Sequence, residues 1–354
     1  MIAQIHSPPT LTARAFDDPD WLAFLASHPD ATVFHHPAWS LVLRDSYGYR
    51  PSALVQTDAC GAIEAGLPVV EIASFGRRRF IALPFTDYCP PLATTPASQE
   101  RFSANLVRWR AQATSGGFTV HGALSDASGI SLVARAVRHV LALRASSETL
   151  WRTMSGSPVQ RGIRKARSQG LEATVSRSHD DLAAFARLHL ETRRRLGVPV
   201  QPKRFLDGLW EHVIQEGLGF IVLARRERRP LAGAIFLAWN GNLIYKFGAS
   251  DSRYWELRPN NLVIWTAIDW ACQNGFRQLD FGRSDVDNQG LRDFKSRWGA
   301  VETPLVYSYV AASPPRSTPR LVMRALAKVI QSSPPIVCRV LGELLYGRVP
   351  GFAS

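Results

Sequence analysis

The chain has 354 residues, enough for two domains or one large one, because single hydrophobic cores stop growing near about 250–300 residues. Its hydrophobic content of 46% supports packed cores, yet no run reaches the roughly 18 apolar residues that span a bilayer. The four cysteines form no CxxC pair, and the first residues lack the basic and apolar segments of a secretion signal. These features argue against structural zinc and secretion, and favour a cytoplasmic protein with reduced thiols.

The net charge of +13 is the strongest bulk signal. Arginine dominates the positive charge, and its planar guanidinium suits bidentate pairing with phosphate and carboxylate. We therefore expect an anionic partner: RNA, a nucleotide-linked substrate or an anionic membrane face. The alternative is that part of the excess reflects an arginine-rich genome.

The first 145 residues are predicted to form one α/β domain with short connections. Helical spacing and turn residues predict helices at 21–27, 36–43 and 105–114, the last ended by Gly116 and Gly117. Alternating apolar residues predict strands at 52–56, 61–70, 78–84, 118–122 and 136–142.

A change in composition between residues 146 and 170 marks the start of a second α/β domain, which we extend to residue 312. Helices are predicted at 150–154, from 158 to a C-cap at Gly170, and at 180–196, 202–216 and 260–274. Strands are predicted at 172–176, 219–225, 230–239, 242–248, 278–281 and 304–310. The predicted fold class is therefore α/β with mixed sheets, in two domains.

Residues 313–354 are predicted to form a basic helical tail. The segments 319–330 and 335–345 are amphipathic patterns, and only Glu343 opposes the basic residues Arg320, Arg324, Lys328, Arg339 and Arg348. Basic amphipathic helices suit anionic membrane surfaces or polyanions. The alternative is a helical tail that docks on its own domain.

The predicted helix after Pro158 carries Arg161, Arg164 and Lys165 at spacings of three and four residues, so their side chains share a face. Such a face can hold a phosphate or pyrophosphate by charge-assisted hydrogen bonds. The alternative is an ordinary solvated basic helix.

A second candidate anion site follows the predicted strand that contains Lys246. There Pro259, Asn260 and Asn261 open a helix, and the free backbone N–H groups at a helix start attract anions. The alternative is that Asn260 is simply an N-cap.

The segment from Asp280 to Ala300 is the most informative in the chain. Gly282 and Arg283 follow a predicted buried strand, and a glycine there allows close approach of the backbone to a ligand.

Lys295 follows Phe294 and precedes Trp298, so the two aromatic rings could form a stacking surface with the lysine cation over it. Such a lysine could hold a phosphate or carboxylate, act as an amine on the reaction path, or stabilise an oxyanion when an amine attacks an acyl ester. The alternatives are a surface residue beside an aromatic core, or a cap at a helix C-terminus.

Asp87 lies between aromatic residues in the first half, which could raise its pKa enough for it to act as a general base. The alternative is an aspartate that caps a turn. The nine histidines show no metal-binding spacing, and the chain has neither a P-loop nor GxGxxG. We therefore expect no metal and no tightly bound cofactor.

Taken in order, four stretches resemble the FemABX-like transferases, including those of exopolysaccharide gene clusters, within the acetyltransferase-like (GNAT) superfamily. They are residues 34–39 with Tyr47 and Gly48, residues 161–166 with Gly170, residues 246–250 through Pro259, Trp265 and Gly275, and residues 290–295 with Trp298 and Gly299. The resemblance covers about residues 20–310, and the last stretch is the most specific.

The resemblance implies two tandem acetyltransferase-like domains that share a cleft. Well-known members move an amino acid from aminoacyl-tRNA to an amine on a peptidoglycan precursor. The family's Phe-Lys pair matches Phe294 and Lys295, which implies that Lys295 works near the tRNA 3′ end or the developing charge. Arg161 would then bind an anionic acceptor.

The sequence departs from the best-known members in one important way. It lacks the coiled-coil arm that some members insert in the second domain, which puts extensive tRNA contact in question. Acyl-CoA transferases bind a pyrophosphate through a glycine-rich loop, where this chain has Pro259, Asn260 and Asn261.

The sequence thus predicts a cytoplasmic N-acyltransferase, peripheral at the inner face of the membrane, that aminoacylates an anionic cell-envelope or glycan precursor. The alternatives are an acyl-CoA-dependent transferase acting on an exopolysaccharide sugar or small amine, and a non-catalytic relative that binds polyanions or membranes.

Overall fold

A computed structural model describes residues 11–74, 77–113, 117–143, 146–154, 156–310 and 320–346. The chain divides into two compact units. The N-terminal unit comprises Met1–Ser40, Gly48–Ala134 and Val306–Arg316, and the C-terminal unit comprises Leu41–Tyr47, Arg135–Leu305 and Ser317–Ser354. Gly116, the start of the predicted tail at 313–319, and Arg348 lie outside the described residues.

The described part of the chain forms both strands and helices, as the alternating and helical patterns predict. The strands are β1 Thr12–Arg14, β2 Arg50–Thr57, β3 Ile63–Ser74, β4 Arg77–Ala82, β5 Leu92–Ala93, β6 Phe118–Val120, β7 Ile130–Ala142, β8 Leu171–Ser176, β9 Gly219–Arg226, β10 Arg229–Trp239, β11 Asn242–Ser250, β12 Gln278–Asp285 and β13 Val301–Val310. The helices are α1 Pro19–Ser27, α2 Pro37–Tyr47, α3 Pro96–Ala113, α4 Ser147–Thr153, α5 Pro158–Ser168, α6 His179–Leu196, α7 Lys203–Leu209, α8 Pro259–Gln273, α9 Gln289–Ser296, α10 Arg320–Ser332 and α11 Pro335–Leu345.

In the N-terminal unit, β1, β2, β3 and β4 pair antiparallel in chain order, and β6 pairs with β4 and with the end of β13. Helix α3 packs on this sheet through Phe102 and Leu106, which are fully buried beside Leu54 and Leu67.

In the C-terminal unit, the strands lie in the order β7-β12-β11-β10-β9-β8. The β11–β12 pair is parallel, because α8 connects the two strands, and the other four pairs are antiparallel. Along β10, Ala232 and Ala234 pack in the core formed with α8, whereas a Cβ on Gly233 would meet Phe185 of α6. Since strand side chains alternate, α6 and α8 cover opposite faces of this sheet.

Helix boundaries differ from the prediction in two places. Helix α3 begins at Pro96 rather than at residue 105, because its first turns are polar and carry no apolar spacing. The predicted helix 202–216 is α7 followed by a π-helical turn at Trp210–Ile214.

Candidate functional site

Strand β12 leaves regular geometry at Gly282. The φ angle of Gly282 is 69°, and the pairing with β7 shifts register between Asp280 and Arg283. The Asp280 carboxylate accepts hydrogen bonds from the Gly282 N–H at 2.8 Å and from Arg138 Nε at 2.7 Å. A left-handed φ favours glycine, so the sequence fixes a bulge at this point.

Lys295 lies beside this bulge and is 3% exposed. Its Nζ donates to the carbonyl oxygens of Gly282 and Arg283, each at 2.9 Å. A buried ammonium is stable only when it is hydrogen-bonded, and these two carbonyls compensate much of its lost hydration. Lys295 is therefore a buried cation rather than a surface lysine.

Helix α9, which carries Lys295, is held by a second polar group. Glu302 accepts hydrogen bonds from Arg292 Nη2 at 2.8 Å and Nε at 2.9 Å, and its other contact is His139 Nε2 at 3.1 Å. The hydrogen bonds from Arg292 lower the pKa of Glu302. Burial lowers the pKa of His139, and the positive charge of Lys295 lowers it further. The charge of Lys295 therefore acts on the groups around it.

The same unit contains an open cleft of about 470 Å³ between the N-terminal turns of α5 and α8 and the end of α9. Its lining includes four cations and two aromatic rings, and none of the described lining residues is acidic. The lining residues are Pro158, Val159, Arg161, Gly162, Lys165, Trp255, Arg258, Pro259, Asn260, Asn261, Phe294 and Arg297. A concave site with one sign of charge concentrates anions.

Local sequence explains how α5 and α8 come together. A Cβ on Gly162 would lie 3.0 Å from Asn261 Nδ2, so glycine allows close approach at this crossing. Arg258 has φ 60° and ends the preceding turn, after which Pro259 starts α8 without a side-chain cap. The first N–H groups of α8 are therefore not capped by a side chain and add partial positive charge to the cleft.

Trp255 is 47% exposed at the rim of the cleft. Its Nε1 donates to Ser250 Oγ at 2.9 Å, and the Arg195 guanidinium lies 4.7 Å from its ring centroid. Asn260 Nδ2 donates to the same hydroxyl at 3.4 Å. An anchored, exposed indole is a surface on which a base or sugar can stack.

Five of the predicted site residues line the cleft: Arg161, Lys165, Asn260, Asn261 and Phe294. Others in the same unit lie elsewhere. Arg164 stacks on Trp151 at 5.7 Å, Lys246 lies 5.2 Å from the Phe247 ring centroid, and Arg283 bonds Asp285 at 2.9 Å. Trp298 is 2% exposed and lies in the core.

Asp87 belongs to the N-terminal unit and is half-buried. Its backbone carbonyl accepts a hydrogen bond from the Tyr307 hydroxyl at 3.1 Å. Two residues earlier, Phe85 has φ 61°, a strained conformation for a side chain of that size. Thr86 Oγ1 stabilises the turn by donating to the Leu83 carbonyl at 2.7 Å.

Among the lining residues with charged or aromatic side chains, the prediction missed three, Trp255, Arg258 and Arg297. Arg258 directly precedes Pro259 at the helix start, which is a signal that could have identified it. Trp255 and Arg297 are far apart in sequence, and only the fold shows that both reach this cleft. In the described part of the chain, no group of three or more His, Cys, Asp or Glu residues is placed to hold a metal ion.

Comparisons with known proteins agree with this architecture. Residues 157–296 match the family model of the acetyltransferase (GNAT) domain. The lipid II:glycine glycyltransferases of Staphylococcus aureus and Staphylococcus saprophyticus are each 28% identical over 92 residues. That match covers 24% of this chain and 22% of the relative, so the chain matches only about a fifth of each relative's length.

Similar solved structures cover most of the chain. The crystal structure of FemX has a TM-score of 0.65 at 13% identity, over 90% of this chain and 99% of FemX. L-PGS from Bacillus licheniformis has a TM-score of 0.54 at 13% identity, over 90% of this chain and 99% of that one. A tandem GNAT protein from the clavulanic acid biosynthesis pathway has a TM-score of 0.51 at 12% identity, over 86% and 99%.

Fold and family model together define a protein built from tandem acetyltransferase-like units. Within that class, the chain is similar in fold to FemX and L-PGS, and over 92 residues it is similar in sequence to the lipid II:glycine glycyltransferases. The fold predicted from the sequence is thereby confirmed.

Proposed function

We propose that this protein is an N-acyltransferase that moves an aminoacyl group onto an amine of an anionic cell-envelope precursor. The single observation that carries this proposal is the cleft with Arg161, Lys165, Arg258 and Arg297 and no described carboxylate in its lining. Such a site binds phosphate or pyrophosphate well, because arginine and lysine form charge-assisted hydrogen bonds to phosphate oxygens. The likeness to the glycyltransferases supports an amine acceptor and an aminoacyl donor.

The donor we favour is aminoacyl-tRNA. Trp255 and Phe294 offer aromatic surfaces for an unpaired base at the edge of a basic cleft, which is how single-stranded nucleic acid is commonly bound. Coenzyme A is the second candidate, and the match of residues 157–296 to the acetyltransferase domain favours it. The side chains of Asn260 and Asn261, where a glycine-rich loop would leave open space, argue for the first donor.

In the proposed reaction the acceptor amine attacks the ester carbonyl of the aminoacyl-tRNA. The C–N bond forms, the C–O ester bond breaks, and the terminal ribose hydroxyl leaves with a proton while the amine loses one. We propose that Lys295 stabilises the negative charge that develops on the carbonyl oxygen. A buried ammonium in a fixed position stabilises such a charge strongly, because the local dielectric constant is low. The role of Asp87 as a proton acceptor stays a prediction from the sequence.

The decisive experiment measures transfer from aminoacyl-tRNA and from acetyl-CoA to a nucleotide-linked amino-sugar peptide. The Arg161→Gln, Lys165→Gln double variant should raise KM for the acceptor at least about tenfold with kcat retained, as expected for lost charge-assisted bonds. Arg164→Gln is the matched control, because it removes an arginine from the same helix that stacks on Trp151 instead of lining the cleft. An equal effect of both variants, or no effect of the double variant, would exclude the cleft as the acceptor site.

We also propose that the protein works at the inner face of the membrane, through its C-terminal helices. In the described residues, no helix is both long and apolar enough to cross a bilayer. On α11, Ile336, Val340 and Leu344 recur every four residues and are 58%, 48% and 48% exposed. An apolar helix face beside basic side chains is suited to lie at an anionic lipid surface.

A further inference from the structure

A second cavity lies in the C-terminal unit, and its described lining shares no residue with that of the basic cleft. It has a volume of about 330 Å³ and lies among α6, the start of α7 and α11. Helix α6 contributes Leu182, Ala183, Ala186 and Leu190, whose spacing places them on one face of the helix. The cavity is therefore a feature of how three helices meet.

The wall of this cavity is mostly apolar. Leu182, Leu190, Val200 and Leu206 are each 7% exposed or less. Ala183 and Ala186 also line it, and their short side chains leave space that larger residues would fill. The lining also includes His179 and the buried Gln201, whose Oε1 contacts His189 Nε2 at 2.8 Å. Because most of the wall is apolar, the void suits hydrocarbon.

The rim carries an excess of positive charge. Its two carboxylates have partners of their own: Asp207 pairs with Lys203 at 2.7 Å, and Glu343 pairs with Arg204 at 3.0 Å. Arg187 and Arg339 are exposed at the same rim. An anionic group that enters beside these two arginines would meet two guanidinium groups suited to phosphate.

The cavity borders the helix whose outer face is apolar. Gly342 of α11 packs directly against the Val200 carbonyl, so α11 forms a wall of the cavity while Ile336, Val340 and Leu344 point to solvent. The α11 residues that line the cavity are Arg339 and Glu343.

We propose that this cavity binds one hydrocarbon chain of an anionic amphiphile, with the chain against Ala183 and Ala186 and the anionic headgroup beside Arg187 and Arg339. This site goes beyond the transfer reaction, since it does not involve the basic cleft. It gives the protein a means to select an anionic lipid rather than any apolar surface.

Calorimetric titration below the critical micelle concentration tests the proposal with decyl phosphate, decyl glucoside and inorganic phosphate. We expect decyl phosphate to bind at least about tenfold tighter than either of the others. Only decyl phosphate has both a hydrocarbon chain for the apolar wall and an anionic group for the arginines at the rim. Ala186→Phe fills the cavity and should lower the affinity for decyl phosphate at least about tenfold. The control variant, Ala186→Ser, should bind decyl phosphate with the affinity of the wild type.

A surface variant keeps the test decisive if Ala186→Phe fails to fold. The Arg187→Gln, Arg339→Gln double variant should lose affinity for decyl phosphate but not for decyl glucoside. Competition by phosphatidylglycerol vesicles would identify a bilayer lipid as the source, and binding without competition would identify a free single-chain amphiphile. Equal binding of inorganic phosphate, or unchanged binding to Ala186→Phe, would overturn the proposal. Aminoacyl transfer to a water-soluble acceptor, measured on the same variants, reports on the cleft separately.

Discussion

At the scale of single residues, Lys295 combines a structural contact with an electrostatic effect on its neighbours. Its ammonium satisfies two backbone carbonyls inside the protein, and its charge lowers the pKa of His139. Sequence alone predicts a functional role for this lysine, and that role stays a prediction. The sequence could not show that the lysine is buried, because that depends on the bulge in β12.

Lys295→Met should lower the free energy of unfolding by about 1–3 kcal/mol, because it leaves the Gly282 and Arg283 carbonyls without their buried donor. Urea denaturation measures this change. Lys165→Met is the control, since Lys165 is exposed and its replacement should alter stability by less than about 0.5 kcal/mol. Equal stability of the two variants would show that the carbonyls do not need the ammonium.

His35 should make the protein sensitive to acid. Its Nδ1 accepts the Thr32 N–H at 3.1 Å and its Nε2 contacts the Pro90 carbonyl at 2.9 Å, so the neutral ring has both nitrogens satisfied. Burial lowers the pKa of His35 from 6.5 to about 4. The unfolded chain therefore binds more protons than the folded one between these values, and stability falls as pH drops from 6.5 towards 4.

Stability curves between pH 7 and 4 measure this loss, which we expect to reach roughly 3 kcal/mol for this histidine. His35→Gln removes the titrating imidazole while it keeps a hydrogen-bond donor and an acceptor. The free energy of unfolding of this variant should therefore fall less steeply as the pH drops. Superimposable curves for the two proteins would show that His35 does not titrate in this range.

At the scale of helices and strands, the start of α8 combines strain with charge. Arg258 adopts φ 60° and also lines the basic cleft. Arg258→Gly should raise the free energy of unfolding by about 1 kcal/mol, because glycine adopts this conformation without strain. The same change should weaken acceptor binding.

Arg258→Lys is the matched variant, since it keeps the charge and the strain. It should leave both stability and KM near the wild-type values, as measured by thermal unfolding and initial rates. If Arg258→Gly destabilises the protein, the guanidinium contributes more to the fold than the strained backbone costs.

One glycine allows α11 to approach the rest of its unit closely. A Cβ on Gly342 would collide with the Val200 carbonyl oxygen, so Gly342→Ala should loosen α11 and speed its removal by limited proteolysis. Gly290→Ala is the control, because a Cβ there meets nothing within 4 Å. Equal proteolysis of both variants would mean that α11 can shift to make room.

The elements that sequence predicts well are those with strong periodicity and clear ends. Helix α6 was predicted at 180–196 and runs His179–Leu196, ended by Gly197 with φ 69°. Helix α9 was not predicted as an element, because it has eight residues and only Lys295 among them is buried. Short helices with one buried residue carry too little periodic signal to be recognised.

At the scale of the whole molecule, the fold class could be predicted from the sequence, whereas the grouping of the cleft residues could not. Arg161 and Asn261 are a hundred residues apart, and they meet only because Gly162 allows α5 to approach α8. Spacing along one helix predicted that Arg164 acts with Arg161, yet Arg164 stacks on Trp151.

The proposed membrane contact predicts binding to anionic vesicles. The full-length protein should float with vesicles that contain phosphatidylglycerol, and the Ile336→Asp, Val340→Asp double variant should lose most of this binding. Leu132→Asp is the control, since Leu132 is 45% exposed and lies in β7. Retained flotation of the double variant would exclude the α11 face, and a change in oligomeric state would show that a second copy covers it.

The bulge at Gly282 has a consequence for how this protein can diverge. Two groups that accept hydrogen bonds from the Lys295 ammonium are main-chain carbonyls, which every residue type provides. The side chain at position 283 can therefore change without removing either acceptor, provided that Gly282 and the carboxylate of Asp280 preserve the bend. Relatives with little identity in this segment can thus retain the same electrostatic centre, and a shared backbone path will reveal them before a shared sequence does.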